Sequence, residues 1–201
     1  MDFSFTEEQQ LLEDTVRRFV AKDYAFEKRR AIRDSAEGWS REAWQALADL
    51  GLLALNVPEE HGGLGAGPVD TLLALNALGP GLLLEPYLAS AVVATALLRE
   101  CPPQAGLLAQ MAAGERIVVL AHDEPGARGN PRHVATLCRP DGADFLLDGR
   151  KCVVAHAAAA DFLIVSARLG DGLALFLVPR DAPGLSLDSY PTLDGTRAAE
   201  V

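Results

Sequence analysis

The sequence is poor in the residues that mark several classes of protein. Aromatic residues make up only 6% of its 201 residues, and its three cysteines, Cys101, Cys138 and Cys152, show no Cys-x-x-Cys spacing. An odd number of cysteines without a pairing pattern argues against a disulfide framework. The cysteine content is therefore typical of a protein in a reducing compartment, and we expect a cytoplasmic location.

Positive charge is also scarce. The chain has 18 Lys and Arg against 28 Asp and Glu, a net charge of −10, and its longest basic run is Lys28-Arg29-Arg30. Because binding to nucleic acid depends on cations that neutralise phosphates, nucleic acid is not an expected partner.

Long hydrophobic runs and a secretion signal are missing as well. The charge-free stretches 71–84 and 86–98 are shorter than the roughly 18 residues of a membrane span. The acidic N-terminus has neither the basic nor the apolar region of a signal peptide. These stretches are interpreted as core helices, and no membrane partner is expected.

The first half of the chain carries a helical pattern. Thr6 and Gln9 have the spacing of a capping box, and Ser40 and Pro68 stand where helices begin. Glycines and prolines separate the apolar periodic segments, as expected at helix ends. The predicted helices run from Thr6 toward Lys28, from Ser40 to Leu50, from Pro68 to Leu78, from Pro86 to Glu100 and from Pro103 to Ala113.

Beyond residue 114 the apolar period changes from 3.6 to 2, which is typical of strands. The predicted strands are 116–122, 134–139, 144–147, 151–155, 161–167 and 173–178. Turn residues and no helices connect them, which predicts mostly antiparallel pairing. The fold class is thus α+β with two domains: an N-terminal all-α domain, residues 1–114, and an antiparallel β-barrel or β-sandwich domain, residues 115–201. The run 197–201 ends without a turn signal, which predicts a strand continuing past residue 201.

Four features of the sequence bear on chemistry, and most of them have simpler structural interpretations. The Gly-rich loop 60–67 lacks the register of a dinucleotide loop and the Gly-Lys-Ser/Thr ending of a P-loop, so a tight interhelical loop is favoured over phosphate binding. No serine has the flanking glycines of a hydrolase elbow. The four histidines lack metal-ligand spacing, which argues against a zinc site. The segment 123–130 follows a strand and is a candidate binding loop.

Read together, several segments resemble the acyl-CoA dehydrogenase family. They occur in the order found in that family and extend over the whole chain: 5–12, 57–65, 112–115, 124–127, 148–151, 175–179, 183–186 and 194–201. Segments 38–40 and 190–195 are similar to the small subunit of a two-subunit branch of the family that acts on medium-chain dicarboxylyl thioesters.

The resemblance implies a flavoprotein oxidoreductase of fatty acid metabolism. It implies FAD as cofactor, an acyl-CoA as substrate, electron-transfer flavoprotein as electron acceptor, and a homo- or hetero-oligomer, either a dimer or a tetramer. It also implies a C-terminal four-helix bundle after the β-domain, which this sequence does not contain. The glutamate that removes the α-proton belongs to that bundle in the family, so no catalytic residue is assigned here.

The resemblance also implies which residues contact the flavin. The cofactor-binding positions are Leu120, His122, Asp123, Gly129, Val153 and Ala155, with Gly129 also at the substrate. Two family threonines are replaced by Asp123 and Ala155, and a family serine by Gly129. A carboxylate about 4 Å from a flavin that gains negative charge would cost about 4 kcal/mol at an effective dielectric of 20, unless a cation such as Arg128 pairs with it.

Two functions therefore remain open from the sequence. In the first, the chain is a FAD-dependent acyl-CoA dehydrogenase that oxidises an acyl-CoA, in one reading a dicarboxylyl-CoA, to the trans-2-enoyl-CoA. In the second, it is a catalytically degenerate structural subunit of a heteromeric acyl-CoA dehydrogenase.

Overall fold

The computed structural model describes residues 4–101 and 105–201. The chain divides into two compact units between Arg116 and Ile117. The first, here called the helical unit, holds the helices, and the second, the β-unit, holds the strands. In the described part of the chain, no helix is both long and apolar enough to span a membrane.

The helical unit packs its helices around buried aromatic and aliphatic side chains. Trp44, Leu47 and Val16 are almost completely buried, and the Trp44 indole N–H donates to the Gly114 carbonyl at 3.2 Å. The elements are α1 (Glu7–Asp23), α2 (Phe26–Arg33), α3 (Arg41–Asp49), α4 (Pro68–Leu78), a π-helix (Tyr87–Ala94), α5 (Thr95–Leu98) and α6 (Ala105–Ala112).

The capping box predicted at Thr6 and Gln9 is confirmed. The Thr6 hydroxyl accepts the Gln9 N–H at 3.2 Å, and the Gln9 side chain accepts the Thr6 N–H at 3.1 Å. Ser40 caps α3 in the same way, because its hydroxyl accepts the Ala43 N–H at 3.2 Å. Both caps satisfy amide groups that the first turn of a helix leaves unpaired.

The prediction that the first helix continues toward Lys28 is wrong, since α1 ends at Asp23 and α2 starts at Phe26. The break lies at Tyr24, whose backbone leaves helical geometry with φ −133°. Its side chain is buried, and its hydroxyl accepts the Leu84 N–H at 3.1 Å. The helix ends there because this tyrosine makes a tertiary contact.

The predicted helix Pro86 to Glu100 is present with a different winding. Residues Tyr87–Ala94 form a π-helix, and only Thr95–Leu98 continue it as an α-helix. The predicted start of the next helix at Pro103 lies outside the described residues, and that helix is seen as Ala105–Ala112.

The Gly-rich loop is a tight connection, as the structural interpretation predicts. A side chain on Gly63 would clash with the Val57 carbonyl, and Gly62 and Gly65 have positive φ. The loop amides of Leu64, Gly65 and Ala66 donate to carbonyls within residues 54–57. The glycines therefore serve the close approach of two backbone segments.

The β-unit contains two sheets. One has the order β1-β5-β2-β3 with β6 paired to β5, and the other has the order β4-β8-β7. The strands are β1 (Val118–Ala121), β2 (Leu137–Asp141), β3 (Asp144–Asp148), β4 (Val154–Ala155), β5 (Phe162–Leu169), β6 (Gly172–Pro179), β7 (Asp188–Pro191) and β8 (Arg197–Glu200).

Within residues 117–201, four of the six strand pairings are antiparallel, in agreement with the prediction. The sequence did not indicate that β5 pairs in parallel with β1 and with β2. In the register of the first pair, Val119 faces Leu163 and Leu120 faces Ile164. The central position of β5 follows from its almost continuous apolar sequence, which suits a strand buried on both faces.

Candidate functional site

The residues predicted to contact a cofactor lie on three neighbouring segments of the β-unit. Leu120, His122 and Asp123 are at the end of β1, Gly129 is in the loop that follows, and Val153 and Ala155 are at β4. The Cys152 N–H donates to the Asp123 carbonyl at 2.8 Å, which joins the end of β1 to the β4 segment. We call these six residues the candidate face.

The candidate face is mostly exposed. Asp123, Gly129, Val153 and Ala155 are exposed, whereas Leu120 and His122 are half-buried. The β4 segment is shaped by Val153, whose φ of +52° is unusual for a β-branched residue. This backbone turn leaves the Val153 side chain 59% exposed, and it limits the predicted strand 151–155 to Val154–Ala155.

Asp123 gives this face a negative charge. A carboxylate accepts hydrogen bonds but donates none, so it cannot donate as would the threonine hydroxyl that the resemblance implies at this position. Among the described residues, Asp123 forms no ion pair with Arg128, the cation that could have offset its charge, although Arg128 is exposed in the same loop.

Directly beneath the face lies a buried ion pair. The Lys151 ammonium donates to Glu124 Oε1 at 2.6 Å, and the two side chains are 2% and 3% exposed. Glu124 also accepts the Thr136 hydroxyl at 2.6 Å and the Thr136 N–H at 3.0 Å. Burial alone would raise the pKa of Glu124, but the hydrogen bonds from Lys151, Thr136 and Ala135 outweigh it and lower the pKa to about 2.

Ser166 extends this network toward the candidate face. Its hydroxyl oxygen accepts from Lys151 Nζ at 3.0 Å and lies 2.9 Å from His122 Nδ1. On its other side, His122 Nε2 lies 2.8 Å from the Pro131 carbonyl oxygen. A carbonyl only accepts, so Nε2 carries a proton. In the neutral imidazole, Nδ1 would then accept the Ser166 hydroxyl proton. Both ring nitrogens of His122 are therefore engaged within the β-unit.

Sequence reasoning missed Ser166 and Thr136. Ser166 stands in the apolar run of β5 and is completely buried, and a lone hydroxyl in such a strand is the signal that could have identified it. Thr136 had no comparable signal, since it lies in the segment that precedes β2.

Two other kinds of site are less prominent. Across residues 4–101 and 105–201, no three His, Cys, Asp or Glu side chains cluster closely enough to hold a metal ion. An open groove of about 1270 Å³ lies in the β-unit, with Phe145 and Phe176 among its lining residues. None of the six residues of the candidate face lines this groove.

Comparison with known proteins identifies the family. Residues 6–115 match the acyl-CoA dehydrogenase N-terminal domain, and residues 120–201 match the acyl-CoA dehydrogenase middle domain. The chain therefore belongs to the acyl-CoA dehydrogenase family, a family of FAD-dependent oxidoreductases.

A curated relative and two solved structures illustrate the match. Benzylmalonyl-CoA dehydrogenase from Aromatoleum aromaticum is 31% identical over 93% of this chain and 51% of its own length. The ChsE4-ChsE5 complex from Mycobacterium tuberculosis includes a chain 29% identical, with a TM-score of 0.89 over 100% of this chain and 54% of that one. A glutaryl-CoA dehydrogenase from Mycobacterium smegmatis in complex with FADH2 shares the fold, with a TM-score of 0.88 at 23% identity over 98% of this chain and 52% of that one. This chain thus spans about half the length of these relatives.

The candidate face fits FAD, the cofactor of the family, in one respect and departs from it in another. The absent or small side chains of Gly129 and Ala155 leave the main chain accessible to a flat ring. However, none of the six side chains offers a free hydrogen-bond donor, because Asp123 only accepts and His122 is already engaged. Hydrogen bonds from this face to a flavin would therefore come from main-chain amides.

Proposed function

We propose that this chain supplies the N-terminal and middle domains of a FAD-dependent acyl-CoA dehydrogenase that converts an acyl-CoA thioester to the trans-2-enoyl-CoA. When bound, FAD would accept the β-hydrogen as hydride. The candidate face would hold the cofactor, with Gly129 also contacting the substrate. The base that removes the α-proton is assigned to no residue of this chain, and electron-transfer flavoprotein would take up the electrons.

One observation carries this proposal. The end of β1 and the β4 segment, which the resemblance names separately as flavin contacts, are joined by the hydrogen bond from Cys152 N–H to the Asp123 carbonyl. Two segments 30 residues apart thereby form one exposed surface. A face assembled from strand ends and loops is where binding residues are commonly found.

The substrate class is a finer proposal. The similarity of segments 38–40 and 190–195 to the small subunit of pimeloyl-CoA dehydrogenase supports a dicarboxylyl-CoA. The same similarity supports assembly with a second kind of subunit in a hetero-oligomer, and the cysteine content supports a cytoplasmic location.

A second candidate function is a structural subunit without its own cofactor. This second function is favoured by two residues of the candidate face. Compared with the threonines that the resemblance implies, Asp123 adds a negative charge and Ala155 lacks a hydroxyl. The related ChsE4-ChsE5 structure is a complex of two different proteins. In a comparable assembly, this chain would complete the fold while the partner binds FAD.

A visible absorption spectrum separates the two functions. The protein is purified alone and together with the partner that copurifies from its native source. A flavin band from the chain alone supports the dehydrogenase. A colourless chain, together with a flavin band from the partner alone, supports the structural subunit.

A flavin titration then tests the candidate face. Asp123→Thr together with Ala155→Thr restores two hydroxyls, each worth about 0.5–1.5 kcal/mol, and removes one negative charge. The double variant should bind FAD at least several-fold more tightly than the wild type. Asp171→Thr, which removes an exposed charge in the β5–β6 turn, is the matched control. An unchanged dissociation constant in the double variant would contradict the assignment of these two residues to the cofactor.

A further inference from the structure

Segment 124–136 is the loop that contains Gly129 of the candidate face, and hydrogen bonds hold its two ends together. Glu124 accepts hydrogen bonds from the Ala135 and Thr136 amides, so the two ends of segment 124–136 are held together. Inside the loop, Gly126, Arg128 and Gly129 all have positive φ. The local hydrogen bonds Ala127 N–H to Glu124 and Asn130 N–H to Ala127 close turns within the loop.

The far part of the loop is tied down by a different residue. His122 Nε2 donates to the Pro131 carbonyl at 2.8 Å, and His122 Nδ1 lies 2.9 Å from the Ser166 hydroxyl of β5. The imidazole thus connects an exposed loop residue to a completely buried strand residue. Ser166 is in turn fixed by Lys151, at 3.0 Å.

We propose that His122 is a positioning residue for the cofactor, one that acts by holding segment 123–131 rather than by contact through its ring nitrogens. This inference rests on the proposed function, because it assigns His122 a role in that same face. Each polar group along this chain of contacts has a partner: Lys151 donates to Ser166, the Ser166 hydroxyl bonds to Nδ1, and Nε2–H donates to the Pro131 carbonyl. Because the carbonyl only accepts, the geometry requires a proton on Nε2.

An apolar residue at position 122 would fill similar space but would leave the Ser166 hydroxyl and the Pro131 carbonyl without these partners. The loop would then lose the contact that joins its far part to β5. More open loop conformations would become populated, and a ligand that needs the closed loop would bind more weakly in proportion to the lost population.

The test compares His122→Leu, His122→Gln and the matched control His133→Leu. His133 is exposed in the same loop, and its described hydrogen bond comes from its main-chain amide. A glutamine can both donate and accept with its amide group, so His122→Gln is the conservative variant. Thermal unfolding first establishes that each variant is folded.

Two measurements are made on the protein with its natural partner. Limited trypsin digestion reports loop opening without any cofactor, because Arg128 and Arg132 are exposed within the loop. Flavin titration reports FAD affinity. His122→Leu should raise the rate of cleavage after Arg128 and weaken FAD binding by about tenfold, equivalent to about 1.4 kcal/mol. In His122→Gln the cleavage rate and the FAD affinity should both return most of the way to the wild-type values. His133→Leu should behave as the wild type. In the wild type, the ¹⁵N shifts of His122 should show the proton on Nε2.

The outcomes separate this inference from the proposed function. If His122→Leu is cleaved no faster than the wild type, or is cleaved faster with FAD affinity unchanged, the positioning role is overturned while FAD binding stands. If the wild-type assembly binds FAD only through its partner, the proposed function fails. The cleavage rates then still show whether His122 holds the loop, but its role toward the cofactor falls with that function.

Discussion

Removing the ammonium of Lys151 should destabilise the β-unit strongly. In Lys151→Met the buried Glu124 carboxylate, 3% exposed, keeps its bonds from Thr136 and Ala135 but loses the cation 2.6 Å away. Breaking a buried pair by removing one partner typically costs about 3–5 kcal/mol, because an uncompensated charge remains. We expect a loss in this range at pH 7.

Two controls isolate the cause. The double variant Glu124→Gln with Lys151→Met removes both charges and should recover a large part of the lost stability. Arg150→Met removes the neighbouring cation, which pairs with Glu200 at 3.3 Å but is 66% exposed. Exposed pairs contribute about 0–1 kcal/mol, so this variant should stay close to the wild type.

The assay has to follow the β-unit. Trp39 and Trp44 both lie in the helical unit, so tryptophan fluorescence reports that unit alone. Hydrogen exchange of β5 peptides, measured by mass spectrometry in increasing urea, follows the strand that carries Ser166. A cost for Lys151→Met as small as that for Arg150→Met would refute the reasoning.

The same carboxylate predicts an acid dependence. The pKa of Glu124 is lowered to about 2 in the folded protein from an ordinary 4.5. A lowered carboxyl pKa contributes stability that is complete above pH 4.5 and is lost as the pH falls toward 2. The difference in β5 exchange between wild type and Glu124→Gln should therefore shrink over this interval, and a difference independent of pH would contradict it.

Three further predictions concern other residues of the two units. Burial raises the pKa of Glu85 above its ordinary 4.5, so the contribution of Glu85 to stability falls as the pH rises. The stability of Glu85→Gln relative to the wild type should therefore increase with pH. Thermal unfolding followed by tryptophan fluorescence measures this difference. Burial lowers the pKa of His156 to about 4 from 6.5, so the β-unit should lose stability as the pH falls from 6.5 to 4. In His156→Gln this loss of stability, measured by hydrogen exchange, should be smaller. Gly63→Ala should cost about 1–3 kcal/mol in urea unfolding followed by tryptophan fluorescence, because the added methyl would clash with the Val57 carbonyl; a neutral effect would show that the loop can move.

Local signals in the sequence predicted local structure well. Thr6 and Ser40 cap helices because each side chain reaches the backbone N–H of the residue three positions later. Such a cap depends only on neighbouring positions in the sequence. The end of α1 at Tyr24 could not be predicted in this way. It depends on Leu84, 60 residues away, whose amide donates to the tyrosine hydroxyl.

The residues of the candidate face are a prediction from the resemblance, and the contacts that support them could not be predicted from the sequence. The resemblance named Asp123 and Ala155, but the contacts beneath them join residues distant in sequence, such as His122 and Ser166, 44 positions apart. They meet because β5 pairs in parallel with β1, a pairing that turn residues do not encode. The π-helix at Tyr87–Ala94 likewise has no signal in its apolar sequence.

The alternation of exposed and buried side chains along the candidate face has an evolutionary consequence. Asp123 points outward beside the buried Glu124, and Val153 and Ala155 are exposed on either side of the buried Val154. If the proposed function holds, substitutions at the outward positions would change what the face binds while the buried Lys151–Glu124 pair is retained. Ligand affinity and foldability can therefore drift independently, so a subunit can lose a cofactor, or gain a different ligand, through viable intermediates.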